Sequence, residues 1–279
     1  MGGGYFFFTD KDVRVGTAEG NLRFLVPLSD GLQVETVYYG SGTLCLSSQA
    51  GCGVGCPFCA SGAKGLLRNL TLAELELQLA WARRQGVEPR AVTLSGIGEP
   101  LHNAQVVREF LKARQREGLP VSLTTIGAPL HRLEELLLLP HNGLMLSLHA
   151  GLAATHRQLI PAGPDFSALF VLLNKLWPQL SRRRRRKIGI NYLLLQGVND
   201  SEEEMAALLA QLRPFPELTL HLLSCNPVPG SHYSSPPAAW QQQWYQSLVA
   251  AGLHVRRPNR WRRQSLGGCG TLFARLGSG

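Results

Sequence analysis

The sequence predicts an α/β fold, a partial (β/α)6 TIM-like barrel with a small N-terminal β-extension. Short apolar or β-branched runs alternate with amphipathic stretches, the pattern of a parallel sheet with right-handed helical crossovers. Six such units can be counted, two fewer than a closed barrel needs, so one side is expected to stay open to a large substrate. Residues 1–44 precede the first unit and read as short antiparallel strands, giving an extension at 1–44 and a barrel at 45–279.

Each unit can be placed on the sequence. The predicted strands are "TLCLS", "AVTLSGIG", "VSLTTIG", "LMLSLHA", "KIGINYLLL" and "LTLHLLS". The first helix, "TLAELELQLAWARRQG", opens with a capping box from Thr71 to Glu74 and carries Leu72, Leu75 and Leu79 on one face. The next, "NAQVVREFLKARQREG", has Asn103 as its expected N-cap. Four further helices follow: "HRLEELLLL", "DFSALFVLLNKLW", "SEEEMAALLAQLR" and "PAAWQQQWYQSLVAAG".

The charge balance favours an anionic partner. The chain has 279 residues, a net charge of +9 and a pI near 9.6. Two basic runs, Arg182–Lys187 and Arg256–Arg263, hold much of the excess and are expected near the functional edge of the barrel. They favour nucleic acid, with solvated surface loops as the competing interpretation of either run. The N-terminus lacks a signal-peptide pattern and no apolar run reaches membrane-spanning length, which predicts a cytoplasmic protein without a membrane partner.

A dense cysteine motif follows the first predicted strand. In "CLSSQAGCGVGCPFCASGAKG", residues 45–65, Cys52, Cys56 and Cys59 have the spacing C-x3-C-x2-C. Three thiolates in a glycine-rich loop suit an iron–sulfur cluster with one iron left without a protein ligand. Zinc is the alternative, but it usually takes four ligands, often as paired C-x2-C units, and the sequence has no second pair. The spacing therefore favours the cluster.

With Phe58 before its last cysteine, this motif is similar to that of the radical S-adenosylmethionine (SAM) superfamily. The stretches "SSQAGC", "FCASGAKGLLRNLT", "GIGEPLHN", "SLHA", "VND", "NPVPG" and "CGTL" resemble, in order, the RlmN/Cfr family of radical SAM RNA adenine methyltransferases. The resemblance covers roughly residues 20–277. It implies a radical SAM core, a 4Fe-4S cluster, and two SAM molecules per turnover, one as methyl donor and one as radical source.

The resemblance also implies three catalytic residues. Cys269 would carry the methyl group, and Cys45 would release the methylated base by forming a transient disulfide with Cys269. Glu35 would remove the substrate proton, although a lone glutamate in a strand otherwise reads as a solvent-facing residue. Cys225 matches no family role and is interpreted as a buried structural thiol.

The residues implied in SAM binding follow the ends of predicted strands, where a barrel places ligand contacts. They are Gly98, Glu99, Thr124, Ser147, Leu148, His149 and Asn226. Singly, each could be a strand-end cap or a satisfied core residue; their joint placement favours a binding site.

Several departures from the family pattern concern substrate recognition. The usual N-terminal helical domain is not expected in this chain. The acidic and polar stretch before the carrier cysteine is replaced by "NRWRRQSLGG", Thr271 stands where the family has glutamine, and Asn191 stands where it has glutamate.

The sequence thus predicts methylation of an adenine carbon, C2 in preference to C8, in ribosomal or transfer RNA, with a flavodoxin-type electron donor. Two alternatives stay open: the same cysteine-dependent methylation of a non-RNA substrate, and a non-catalytic, zinc-stabilised RNA-binding protein.

Overall fold

A mixed sheet of eleven strands forms the frame of the protein. The computed structural model describes residues 14–16, 20–257, 260–263 and 270–276. The strands are β1 (Arg14–Gly16), β2 (Leu22–Pro27), β3 (Leu32–Tyr39), β4 (Thr43–Leu46), β5 (Gln49–Gly51), β6 (Leu66–Asn69), β7 (Ala91–Leu94), β8 (Val121–Thr125), β9 (Gly143–Ser147), β10 (Ile188–Leu194), β11 (Thr219–Ser224), β12 (His254–Arg256) and β13 (Arg275–Leu276).

Eight α-helices are assigned within the described residues. They are α1 (Leu72–Arg84), α2 (Ala104–Arg116), α3 (Leu130–Leu138), α4 (Ala153–Leu159), α5 (Phe166–Leu176), α6 (Arg182–Arg185), α7 (Glu202–Leu212) and α8 (Ala238–Ala250). None of the helices in the described ranges combines the length and apolar character that crossing a membrane requires.

The predicted barrel units are present as parallel neighbours. Strands β4, β7, β8, β9, β10 and β11 pair in this order, all parallel, which confirms the partial barrel. A further short strand, β12, pairs parallel with β11 and was not predicted. Its three residues are His254, Val255 and Arg256, so it lacks the apolar run by which the other strands are recognised.

The N-terminal strands continue the barrel sheet. Strands β1, β2 and β3 form an antiparallel meander, and β3 pairs antiparallel with β4. The boundary predicted at residue 44 therefore lies inside β4, within one continuous sheet. At the other end of the chain, β13 pairs antiparallel with β3, so the C-terminal segment returns to the N-terminal strands.

The predicted N-terminal cap is present in α1 and absent in α2. The capping box of α1 is present, Leu75 and Leu79 are buried, and Leu72 packs against the core. Asn103 directly precedes α2, but its side chain does not cap the helix. Its Nδ2 instead donates to the carbonyls of Ser48 at 2.9 Å and Leu70 at 2.7 Å, tying two loops together.

The two basic runs lie at opposite ends of the barrel, so the expectation that both flank the functional edge is wrong. Arg182–Arg185 form α6 immediately before β10, at the amino ends of the parallel strands. There Arg184 donates to Leu138 O at 2.9 Å and Arg185 pairs with Glu217 at 3.3 Å. Of the second run, Arg256 is the last residue of β12, and Arg260–Arg263 follow this strand at the carboxyl ends.

Candidate active site

A cavity opens at the carboxyl ends of the parallel strands, where a barrel places its chemistry. It gathers most of the residues predicted for the site: Cys52, Cys56, Cys59, Gly98, Glu99, Thr124, Ser147, His149 and Asn226. Leu148, Cys45 and Glu35 do not line it, and Cys269 lies outside the described residues.

The cysteine loop is held by its own backbone. Cys52 N donates to Gly65 O at 3.0 Å, and Cys59 N donates to Cys56 O at 3.1 Å. Gly51 precedes the motif with φ of +79°, and a Cβ at this position would lie 2.2 Å from Gly65 O. Only glycine allows the two arms of the loop to approach this closely.

The chemistry of the three thiols fits an iron–sulfur cluster. Burial raises the pKa of Cys52 to about 11 and that of Cys56 well above its usual value, and the neighbouring Cys59 adds to both. Such thiols ionise only beside a compensating cation, which cluster iron supplies. In the described part of the chain no three His, Cys, Asp or Glu side chains converge on a single metal ion. Cluster thiolates each bind a different iron and need not converge on one point.

Glu99 is fixed at the cavity wall by protein donors. Its Oε1 accepts from Leu101 N at 2.9 Å and from the Thr125 hydroxyl, and its Oε2 accepts from Ile126 N at 2.9 Å. Burial raises the pKa of Glu99 to about 7. Because a carboxylate offers roughly four acceptor positions, Oε2 keeps one that a ligand ammonium group could use.

The sequence did not single out Thr125 or Ile126 as partners of Glu99. They follow Thr124 directly, so consecutive residues at the end of β8 have two different roles. Thr124 lines the cavity, while the Thr125 hydroxyl and Ile126 N orient the carboxylate. In the sequence, the second threonine of "TTIG" could have indicated this role, because its hydroxyl can donate to a carboxylate.

Gly98 is required by a close approach. Its φ is +104°, and an added Cβ would lie 2.6 Å from Gln49 Cβ and 2.9 Å from Gln49 N. Gln49 in turn accepts from Glu99 N at 2.8 Å through its Oε1. The glycine therefore sets the position of the carboxylate that follows it.

We expect Gly98→Ala to lower the free energy of unfolding by roughly 2–4 kcal/mol, since the methyl group meets Gln49 and φ is positive. Urea unfolding of the full chain without cofactors measures this. Gly118→Ala is the matched control, because Gly118 also has positive φ, +73°, but has no atom within 4 Å of its would-be Cβ. Equal losses in the two variants would contradict a role for the Gln49 contact.

His149 presents a neutral donor to the cavity. Its Nδ1 accepts from Leu193 N at 3.0 Å, which assigns the ring proton to Nε2. Burial lowers the pKa of His149 to about 3. His149 has φ of +56°. Asn199 Nδ2 donates to the carbonyl of His149 at 2.6 Å and to the carbonyl of Leu193 at 2.7 Å. Asn199, from the "VND" stretch, thus supports the strained turn that carries His149.

Leu148 contributes through its backbone. Its side chain is fully buried in the core, and its N donates to Asn191 O at 3.1 Å. Asn191 pairs in register with Ser147 and His221, and its side chain lines the cavity. The residue that departs from the family glutamate is therefore part of the cavity wall.

Cys45 lies one side chain behind the cavity. It is 1% exposed on β4, opposite Val37 and beside Thr93. Its Sγ is 3.3 Å from Ser95 Oγ, and Ser95 lines the cavity. The Cys45 thiol therefore adjoins the cavity through Ser95.

Glu35 is buried, so its interpretation as a solvent-facing strand residue is wrong. It is 0% exposed, and its carboxylate accepts from Phe273 N at 3.3 Å and Arg275 at 3.2 Å, with Arg23 at 3.7 Å. Burial raises the pKa of Glu35 although both arginines oppose the effect. In this arrangement Glu35 fastens the C-terminal segment to β3.

The C-terminal segment also contacts the cysteine loop. Gly270 O accepts from Ala60 N at 2.7 Å, and Leu272 O accepts from Ser61 Oγ at 2.6 Å. A Cβ on Gly270 would lie 4.0 Å from Cys59 Sγ. The residue that follows Cys269 therefore sits against the third cysteine of the motif.

Cys225 is not the buried structural thiol that the sequence suggested. It is half-buried and lines the cavity. Its Sγ donates to the carbonyls of Asn226 and Tyr233, both at 3.6 Å. The predicted Cys45–Cys269 pair includes a residue outside the described ranges, so it stays a prediction.

Comparison with known proteins agrees with this geometry. The family model "Radical SAM superfamily" matches residues 46–209. A probable RNA methyltransferase of Chromobacterium violaceum is 36% identical over 264 residues, covering 92% of this chain and 73% of that protein. A dual-specificity RNA methyltransferase RlmN of Magnetococcus marinus is 36% identical over 256 residues, covering 86% and 71%. A crystal structure of a radical SAM methyltransferase from Sphaerobacter thermophilus, 28% identical, matches with a TM-score of 0.76 over 93% of this chain and 80% of that one.

Proposed function

The chain belongs to the radical SAM superfamily, within it to the RlmN-like RNA methyltransferases, and from this premise we propose that it methylates a ring carbon of adenine in ribosomal or transfer RNA. We propose C2 as the position, with C8 as the alternative. The observation that carries the proposal is one cavity that joins the three cysteines to Glu99, His149 and the other strand-end polar residues.

The chain's own residues would hold the cofactors that the superfamily implies. Cys52, Cys56 and Cys59 would bind the 4Fe-4S cluster through their thiolates. Glu99 would accept from the ammonium group of SAM, and the remaining strand-end residues would enclose the rest of that molecule. When bound, the pair supplies a reducing electron and a 5′-deoxyadenosyl radical that abstracts hydrogen; a flavodoxin-type protein is proposed as electron donor.

Cys269 would carry the methyl group, which explains why its neighbour Gly270 lies against Cys59. After the carbon is joined to adenine, the Cys45 sulfur would attack the Cys269 sulfur. An S–S bond forms, the S–C bond breaks, and its electron pair passes to the carbon, which takes a proton to become the methyl group. Before this attack, the ring proton would leave to Glu35, whose carboxylate must first release Phe273 N and Arg275. The unpaired electron that radical addition leaves on the ring would pass to the cluster, which SAM cleavage would have oxidised by one electron. An external reductant would then return the disulfide to two thiols.

A non-RNA substrate is the second candidate. It is favoured by Asn191 on the cavity wall, which stands where the family has glutamate. Both candidates use the same cysteines and cofactors. They differ only in what enters the cavity.

The test is incubation of the anaerobically reconstituted protein with SAM, reductant and unmodified total RNA, followed by mass spectrometry of the digested nucleosides. We expect 2-methyladenosine from the wild type, and none from Cys269→Ala, because alanine cannot carry a methyl group. Methylation by Cys269→Ala would disprove the carrier role. Formation of 5′-deoxyadenosine without methylated nucleosides would direct the search to a non-RNA substrate.

A further inference from the structure

The arginine-rich turn after β12 spans the open side of the barrel. Residues Arg260–Arg263 form a single 3-10 turn. The Trp261 ring lies over Gly40, where a Cβ would come within 2.5 Å of it, and Trp261 O accepts from Asn21 Nδ2 at 2.7 Å. Because β4 and β12 are the two ends of the parallel part of the sheet, a turn that leaves β12 and packs beside the β3–β4 connection bridges them.

This bridge places two guanidinium groups at the cavity. Arg262 and Arg263 both line it. The Arg262 guanidinium carbon is 5.2 Å from the centre of the Tyr39 ring on β3. Burial lowers the pKa of His221 on β11 to about 4, and the positive charges of Arg256 and Arg262 add to this effect, which indicates that Arg262 also lies near β11.

Acidic residues are scarce in the sequence around Arg263 and on the described wall of the cavity. Residues 254–279 include six arginines and no Asp or Glu. Glu99 is the one carboxylate among the described residues that line the cavity, and protein donors already hold it. Arg263 is exposed, and the described residues show no ion pair to it. The rim of the cavity is therefore positive and accessible to an anion.

The run also interleaves arginines with aromatic rings. The Arg260 guanidinium lies 4.3 Å from the centre of the Trp261 ring, and that of Arg257 lies 4.3 Å from the centre of the Tyr245 ring. Stacking holds the guanidinium planes in place while leaving their N–H groups able to bind phosphate in a two-pronged contact. Such surfaces suit a single-stranded nucleic acid backbone.

We propose that Arg263 is a substrate-positioning residue that binds a backbone phosphate beside the reacting base at the open side of the barrel. This inference rests on the proposed function, since it concerns how the RNA enters the same cavity. A base can reach a deep site only by leaving its stack, and its two backbone phosphates then stay at the rim. The replacement of the family's acidic stretch by "NRWRRQSLGG" would thus supply an anchor for one of these phosphates.

The test measures binding of a fluorescein-labelled, adenine-containing single-stranded oligoribonucleotide to the reconstituted full chain over a range of salt concentrations. We expect Arg263→Gln to weaken binding about tenfold at low salt. We also expect it to reduce the slope of log affinity against log salt by roughly 0.7, the value for one phosphate contact on a single strand. Arg263→Lys should restore the slope, because the charge returns. Arg183→Gln is the matched control, an exposed arginine on α6 at the other end of the barrel, and should leave both quantities unchanged.

Steady-state kinetics then separate positioning from general damage. With methylation of total RNA as the readout, Arg263→Gln should raise KM for RNA about tenfold and leave kcat within about twofold. This is the result expected when a contact is lost that binds the ground state and the transition state equally. The inference is overturned if Arg263→Gln keeps the wild-type salt slope, or if Arg183→Gln loses as much affinity. If the wild type binds the oligonucleotide but methylates no RNA, the proposed function fails while the slope measurement still decides this inference.

Discussion

Alanine in place of Cys59 is expected to remove the bound iron and, with it, all cleavage of SAM. Two remaining thiolates, on Cys52 and Cys56, hold a cluster too weakly to survive purification. The loop backbone should persist, since the variant keeps the amide of residue 59, which donates to Cys56 O at 3.1 Å. Iron and sulfide analysis of the reconstituted protein should fall from about four atoms of each per chain to background.

Cys225→Ala provides a matched control because it removes a thiol from the same cavity. The Cys225 thiol donates to two carbonyls and lies outside the C-x3-C-x2-C motif, so this variant should keep the iron content of the wild type. Full iron in Cys59→Ala together with loss of iron in Cys225→Ala would reassign the third ligand. A colourless wild type with one tightly bound zinc per chain would instead support the zinc-stabilised RNA-binding alternative.

Much of the fold was predictable because its signals are local. The six barrel strands are apolar runs flanked by turn residues, and the capping box of α1 needs only Thr71 and Glu74 three residues apart. The short β12 escaped prediction because its hydrogen bonds to β11 are decided by the sheet and not by its own three residues. The role of Asn103 escaped for the same reason, since its partners at Ser48 and Leu70 belong to other loops.

In the site, too, local features were predictable and features set by distant parts of the chain were not. Strand-end position was enough to bring Glu99, Thr124, Ser147 and Asn226 to one cavity. The burial of Glu35 depends on the return of the C-terminal segment to β3, a pairing between residues more than 200 positions apart that no local pattern encodes. The two basic runs look alike as letters, yet one precedes β10 and the other follows β12, which places them at opposite ends of the barrel.

Alanine in place of Cys45 is expected to convert the enzyme from a catalyst into a covalent trap for RNA. If Cys45 releases the product by attacking the Cys269 sulfur, its loss leaves the carbon bridge between protein and base uncleaved. Denaturing gel electrophoresis after incubation with SAM, reductant and RNA should show a slower band that ribonuclease treatment returns to the mobility of the free protein. Methylated nucleosides should not be released, because the carbon stays bonded to the Cys269 sulfur.

The position of Cys45 sharpens this expectation. Its thiol is buried on β4 beside Ser95, which lines the cavity. An external thiol is therefore not expected to replace the buried Cys45 thiol at this position. Cys45→Ser should trap RNA equally, because serine can keep the contact with Ser95 Oγ but cannot form a disulfide. Cys225→Ala should turn over normally. Repeated turnover by Cys45→Ala without a trapped species would exclude the resolving role, and trapping by Cys225→Ala would transfer that role to the thiol that the cavity already exposes.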